Sequence, residues 1–206
     1  GGWVPIMALL NLDQFKKKNV TQKQLFTAVM ANDKCRYQLS ENYNFLRAVQ
    51  GHHANLSWLD HDFIMKRIIP EVGSAEFIVH GTFWKKYTKH IQREGLCKMS
   101  RRMVHFGSSK DSSHVRLAAD VMIYISVWDA TEAGLKIYEA ENGVFCIEGP
   151  VMPDLFKGVG STKMNEWSWE WWDGYVPRTG NRLDNDPELT VTRKLQKEAN
   201  DRLRAL

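Results

Sequence analysis

The stretch Phe77-Ile78-Val79-His80-Gly81-Thr82-Phe83-Trp84, running on to Gly95, changes character at its middle. Three consecutive apolar residues, one of them a valine and one an isoleucine, predict a short buried strand. Trp84, Tyr87 and Ile91 then recur at helical spacing, with Thr82 placed to cap that helix and Gly95 to end it. A strand passing into a helix within twenty residues predicts mixed α and β structure. Residues 121–127 supply a second buried strand rich in β-branched side chains. Residues 136–139 and 144–147, joined through Asn142-Gly143, predict a hairpin with a tight turn. The fold class expected is therefore α+β with short strands.

Upstream, Trp3-Val4-Pro5 leads into Ile6, Leu9, Leu10 and Leu12, an apolar face that predicts a short helix after the proline. Lys16-Lys17-Lys18-Asn19 reads as a basic turn. Thr21 is placed to cap a helix carrying Leu25, Phe26 and Val29, closed by Asn32-Asp33. Residues 37–39 and 45–48 flank the polar run Ser40-Glu41-Asn42-Tyr43-Asn44, the pattern of a hairpin and its loop. Two helices and a hairpin suggest a winged-helix-like unit; such units often bind nucleic acid, but a fold alone assigns no function. Pro70-Glu71-Val72-Gly73-Ser74 reads as a boundary. The expected domains are residues 1–72, residues 73–158 and an extension over 159–206. In that extension Trp167, Trp169 and Trp171 alternate like a half-buried strand, and Asp186-Pro187-Glu188 opens a helix with Leu189, Ala199, Leu203 and Leu206 roughly aligned. The tryptophans read as packing groups before they read as a platform for bases.

A chain of 206 residues with 43% hydrophobic and 25% charged composition can bury a real core. Cys35, Cys97 and Cys146 stand far apart, which argues for neither a disulfide framework nor a zinc site and fits a reducing compartment, cytoplasm or nucleus. The apolar run over residues 121–127 is far short of the roughly 20 residues that cross a bilayer. The net charge of +4 lies entirely in the first third: residues 1–70 carry nine Lys/Arg against five Asp/Glu, and the two later segments balance. That asymmetry nominates the N-terminal part for contact with phosphates, beside the plainer reading of a solvated basic surface.

Four places could carry chemistry. In Asp33-Lys34-Cys35-Arg36-Tyr37 two cations stand two apart, and in an extended segment Lys34 and Arg36 would share a side and could clamp a phosphate; a solvated turn is the alternative. Arg47-Ala48-Val49-Gln50-Gly51-His52-His53 ends a strand in glycine and two histidines, with no spacing that completes a metal site. His80-Gly81-Thr82 sits at the expected strand end and helix start, where glycine admits a ligand and helix N–H groups favour anions; a satisfied structural histidine is the alternative. Ser100-Arg101-Arg102-Met103-Val104-His105 and Val115-Arg116 add cations that could neutralise a pyrophosphate, and the absence of GxGxxG argues against a Rossmann mode.

These pieces, in this order, resemble the RNA 2′-phosphotransferase family, KptA in bacteria. The pattern runs from Trp3-Val4-Pro5 and Leu9-Leu10 through Asp33-Lys34-Cys35-Arg36-Tyr37, Arg47-Ala48-Val49-Gln50-Gly51-His52 and Val79-His80-Gly81-Thr82. It continues in Gly95-Leu96, Met99-Ser100-Arg101, His105-Phe106 and Glu141-Asn142-Gly143-Val144, covering roughly residues 2–156. The resemblance implies a winged-helix RNA lobe and an NAD⁺ lobe of the ADP-ribosyltransferase type, working as a monomer without a metal. It implies removal of a splice-junction 2′-phosphate from RNA, spliced tRNA above all, with NAD⁺ as co-substrate. In that reaction the 2′-phosphate attacks C1″ and expels nicotinamide; O2″ then attacks the phosphorus, giving 2′-OH RNA and ADP-ribose 1″,2″-cyclic phosphate. Arg36 and Arg101 would both contact the 2′-phosphate. His80, Gly81 and Thr82 would hold the nicotinamide riboside, with Arg116, Asn142 and Gly143 as further NAD⁺ contacts and Lys34, His52 and His105 in support.

The family's set also has an Arg-His pair in an Arg-His-Gly element upstream of the Trp3-Val4-Pro5 match. The chain begins at Gly1 and not methionine, so truncation of a longer enzyme is the expectation, loss of the pair the alternative. His53 replaces a usual serine, Met103 a frequent histidine, and Val115-Arg116-Leu117 keeps only the arginine of its motif. Two other readings remain open at this stage: an ADP-ribosyltransferase acting on terminal nucleic-acid phosphates, and a catalytically lapsed module that binds RNA and NAD⁺.

Overall fold

The computed structural model describes residues 1–72, 76–109, 114–116 and 118–161. They fall into two compact units, one made of residues 1–50 and one that begins at Gly51. The expected strand at Trp167, Trp169 and Trp171 and the helix after Asp186 lie outside the described residues.

In the first unit β1 (Val4–Pro5) is followed by the helices α1 (Ile6–Leu10), α2 (Asp13–Lys16) and α3 (Gln22–Met30). Thr21 starts α3 with a capping box: its Oγ1 accepts from the Gln24 amide at 3.3 Å, and its own amide donates to Gln24 Oε1 at 2.9 Å. Such a cap contributes about 1 kcal/mol. β2 (Tyr37–Leu39) and β3 (Phe45–Ala48) form the expected hairpin in the register Tyr37 to Ala48. β1 pairs along the other side of β3, an addition the sequence pattern had not shown. Ile6, Leu25 and Leu46 make the core, with Leu9, Leu10, Phe26, Val29 and Leu39 packed around them. Leu12 leaves that apolar face: α1 stops at Leu10, and Leu12 is exposed where it begins α2.

In the second unit seven strands form one antiparallel sheet among the described residues. They are β4 (Lys66–Ile68), β5 (Phe77–Thr82), β6 (Val104–Ser108), β7 (Val121–Ser126), β8 (Ile137–Glu139), β9 (Phe145–Ile147) and β10 (Phe156–Ser161), in the order β10-β7-β5-β6-β9-β8-β4. Ile78, Val121, Ile123, Ile125 and Ile147 lie fully buried in its main core with Phe106 and Val127. A second cluster joins Leu59, Ile64 and Met65 to Met103, Tyr138 and Cys146. Because β4 pairs with β8 and Leu59, Ile64 and Met65 pack there, residues 51–72 fold with the second unit; the break falls at Gln50/Gly51 and not at 72/73. β10 likewise runs through residue 158, the expected end of that domain, because its pairing with β7 extends from Phe156 to Ser161.

β5 is longer than the sequence suggested. His80, Gly81 and Thr82 continue the strand, opposite Ile123, Met122 and Val121 of β7. Thr82 is therefore a buried strand residue and not a helix cap. The helical turn starts after Phe83, and the Trp84 amide donates to Asp120 Oδ1 across the fold. A one-turn α4 (Trp84–Lys86) passes through a π-helical turn at Tyr87–Ile91 into α5 (Gln92–Glu94), which Gly95 ends at φ +76°. α6 (Val127–Glu132) follows β7, with Ser126 Oγ accepting from the Asp129 amide.

Candidate functional site

The chemistry-bearing side chains of the second unit gather where β5 and β6 run side by side. β5 pairs with β6 only over Ile78 and Val79, so His80 stands just past that pairing. Its Nδ1 lies 2.8 Å from the His105 carbonyl oxygen, and its ring meets Phe106 edge-on with centroids 5.6 Å apart. A carbonyl only accepts, so Nδ1 of His80 carries the proton and Nε2 is left as the acceptor. Burial lowers the His80 pKa, the carbonyl contact opposes this, and the nearby cations Arg116, Arg101 and Lys86 lower it further. The result is a neutral imidazole presenting an acceptor nitrogen.

Arg101 reaches the same place from the loop before β6. Residues 52–54 pair with residues 100–102: the Arg102 amide donates to the His52 carbonyl at 3.0 Å and the Ala54 amide to the Ser100 carbonyl at 3.0 Å. This small ladder sets His52 beside the arginine loop. Arg101 Nη1 is 3.0 Å from His105 Nδ1. A guanidinium only donates, so His105 accepts at Nδ1 and holds its proton at Nε2. Burial, then the Arg101 guanidinium and the neighbouring imidazoles of His80 and His52, which disfavour a further positive charge, push the His105 pKa down to about 4. His52 and His105 also line a small pocket of about 10 Å³, close to the room one water needs, together with His61, Arg102 and Cys146. Cys146 faces His105 across the β6–β9 pair, and burial raises its thiol pKa to about 12, which makes it an inert wall.

Several expectations change. At Gly81 a packing reason for glycine stands beside the ligand one: a Cβ there would lie 2.5 Å from Val115 Cγ1 and 3.0 Å from Ala119 Cβ, so the glycine makes room for the chain's own segment. Arg102 is no loose cation for a pyrophosphate, since its Nη1 donates to the Leu56 and Leu59 carbonyls. Lys34 and Arg36 do not lie in an extended run. Cys35 between them has φ +43°, and β2 starts only at Tyr37, so strand alternation cannot put them on one side. Arg36 is exposed in the first unit, its amide held by Asn32 Oδ1 at 3.0 Å and its carbonyl accepting from the Val49 amide.

Arg116 is exposed, its guanidinium 5.3 Å from the centre of the Phe83 ring. Asn142 and Gly143 make the β8–β9 turn, with Gly143 at φ +77° and His114 beside it. The structure thus brings together His52, His80, Arg101 and His105, with Arg116 acting on His80. Gly81 and Thr82 follow His80 in β5, Gly81 half-buried and Thr82 buried. His61, which none of the sequence motifs includes, is buried in the pocket wall, with Nδ1 3.5 Å from Glu148 Oε1. Burial first, then Arg102, lower its pKa against the pull of Glu148. No local pattern marked it, because its neighbours come from β6, β8 and β9. Among the described residues no three His, Cys, Asp or Glu side chains converge as a metal site.

The family model described as RNA 2′-phosphotransferase, Tpt1 / KptA family, matches residues 1–149. The chain is 26% identical over 163 residues to a probable RNA 2′-phosphotransferase of Escherichia coli O45:K1, covering 74% of this chain and 79% of that protein. It is 30% identical over 155 residues to a putative tRNA 2′-phosphotransferase of Schizosaccharomyces pombe, covering 72% of this chain and 40% of that one. A probable RNA 2′-phosphotransferase of Nostoc punctiforme is 28% identical over 151 residues, 72% of this chain and 78% of its own. The class these matches define is the phosphotransferases. Within it, the chain belongs to the RNA 2′-phosphotransferase, Tpt1 / KptA family.

Proposed function

We propose that this protein is an NAD⁺-dependent RNA 2′-phosphotransferase that removes a splice-junction 2′-phosphate, with spliced tRNA as its main substrate. The observation that carries the reading is the meeting of Arg101 with His105 and His80 at one end of β5 and β6. A permanent cation with directional donors suits a phosphate on which charge develops. A neutral histidine with Nε2 as acceptor suits a ribose hydroxyl. Family membership and the names of the relatives support the same reaction. On this reading the first unit is a winged-helix-like RNA lobe and the second an ADP-ribosyltransferase-like NAD⁺ lobe. The protein works as a monomer in cytoplasm or nucleus, and among the described residues no helix is long and apolar enough to cross a membrane.

A 2′-phosphate oxygen attacks C1″ of NAD⁺, and the C1″–N bond breaks to release nicotinamide. O2″ then attacks the phosphorus; its proton passes to the departing RNA O2′, and ADP-ribose 1″,2″-cyclic phosphate leaves. Arg101 contacts the phosphate in both steps, and Arg36 is the second arginine assigned to it. His80 orients the nicotinamide ribose, Arg116 faces the dinucleotide's negative charge, Asn142 and Gly143 border the NAD⁺ site, and Lys34 and His52 support the RNA phosphate.

The test is incubation of the natural full-length protein with 2′-phosphorylated RNA and NAD⁺. Nicotinamide and the cyclic phosphate are the expected products, and their joint absence sinks the assignment. Arg101→Ala is expected to cut turnover by about a hundredfold or more while NAD⁺ affinity changes by less than about threefold, as for a donor that acts in the transition state. Equal losses in both quantities would remove Arg101 from the phosphate.

A further inference from the structure

The cluster leaves His105 without a direct task at the substrates, although it touches both of the side chains that have one. Its backbone carbonyl receives Nδ1–H of His80 at 2.8 Å, and its side-chain Nδ1 receives the Arg101 guanidinium at 3.0 Å. We propose that His105 is a positioning residue: its uncharged Nδ1 holds Arg101 in the orientation that meets the transferring phosphate, while its carbonyl fixes the tautomer of His80. This rests on the functional reading above and changes the part expected of His105, from a phosphate contact to a holder of the arginine.

Three features support it. Arg101 is exposed, and a long exposed side chain keeps most of its rotamer freedom, so without a holder its guanidinium sweeps a wide volume. His105, by contrast, lies within β6, between Val104 and Phe106, which are both buried, and opposite Cys146. It is a fixed point from which to aim a mobile one. The ring also stays neutral where the reaction takes place. The charged or titratable groups that act on it, Arg101, His80 and His52, are all basic, and with burial they keep its pKa near 4. A protonated ring would lose the acceptor and repel the guanidinium.

The natural full-length protein is tested with His105→Ala, His105→Asn and Arg101→Lys, alone and combined. Asparagine places Oδ1 near the position of Nδ1, so it keeps the acceptor and removes the rest of the ring. Loss of a hydrogen bond to a charged group corresponds to about tenfold to a hundredfold. His105→Ala is therefore expected to lower kcat by that much with KM for NAD⁺ nearly unchanged, and His105→Asn to recover most of it. Combined with Arg101→Lys, His105→Ala should add little further loss, because the two act through one contact. Equal loss in the Ala and Asn variants, or losses that multiply with Arg101→Lys, overturns the proposal.

A second measurement needs no variant. Long-range ¹H–¹⁵N spectra of the histidine rings at neutral pH should show His105 protonated at Nε2 alone, and protonation at Nδ1 overturns the proposal even if His105→Ala does not fold. The two readings fail separately. No turnover by the wild type sinks the enzymatic assignment, whereas full turnover by His105→Ala sinks only the positioning role.

Discussion

Gly81 separates two reasons for a glycine that sequence alone cannot tell apart. The motif His80-Gly81-Thr82 invites the idea of a ligand against bare backbone, while the space a side chain would enter belongs to Val115 and Ala119. Gly81→Ala is thus expected to overpack that contact and cost about 1–3 kcal/mol, read as a lower urea midpoint. Pairing it with Val115→Ala should return part of the loss, since the Cγ1 that a new Cβ would meet is then absent. A Gly81→Ala protein as stable as the wild type would mean that Val115 and Ala119 do not pack on β5. His80 was legible as a candidate because a titratable group beside an apolar strand is rare enough to notice. Its tautomer was not legible, since that depends on a carbonyl 25 residues away.

Elements made by neighbours in sequence came through intact: the Thr21 cap, the β2–β3 hairpin and the β8–β9 turn at Gly143 are all local chemistry. Elements made by distant partners did not. β4 has no amphipathic signal of its own and exists because Lys66, Arg67 and Ile68 find Glu139, Tyr138 and Ile137. The length of β5 was missed for the same reason, as β7 and not local propensity carries the strand to Thr82. The loop before β4 shows what holds such a segment. Arg102 ties the carbonyls of Leu56 and Leu59, and Leu59 itself is buried. Arg102→Met keeps much of the aliphatic stem but removes the donors, and is expected to cost about 2 kcal/mol. Faster amide hydrogen exchange across residues 54–60, with the β5–β7 pair unchanged, is the signature. Unchanged exchange in that loop would show that its carbonyls find other donors and that Arg102 is not the tie.

The second unit as a whole carries His61, His80 and His105 with pKa values all lowered, chiefly by burial. Each is neutral in the fold and takes up a proton once unfolded, so the unfolded state binds more protons as pH falls and stability declines with it. For His105 the window is set by an unfolded value of 6.5 and a folded value of about 4. Its contribution is complete above the first value and lost on the way down to the second, up to about 2.5 kcal/mol of it by pH 4.5. His80 acts in the same direction, and so does His61, less strongly because Glu148 favours its charged form. Urea unfolding at pH 7.5 and pH 4.5 should therefore show a marked loss at the lower pH, to which titrating carboxylates also contribute. His105→Asn isolates one share, because it removes the titrating group and keeps an acceptor for Arg101. Its stability should fall less steeply between the two pH values than that of the wild type. Parallel curves for the two proteins would mean that His105 is protonated in the fold well above pH 4.5, and an imidazolium there could not hold the arginine.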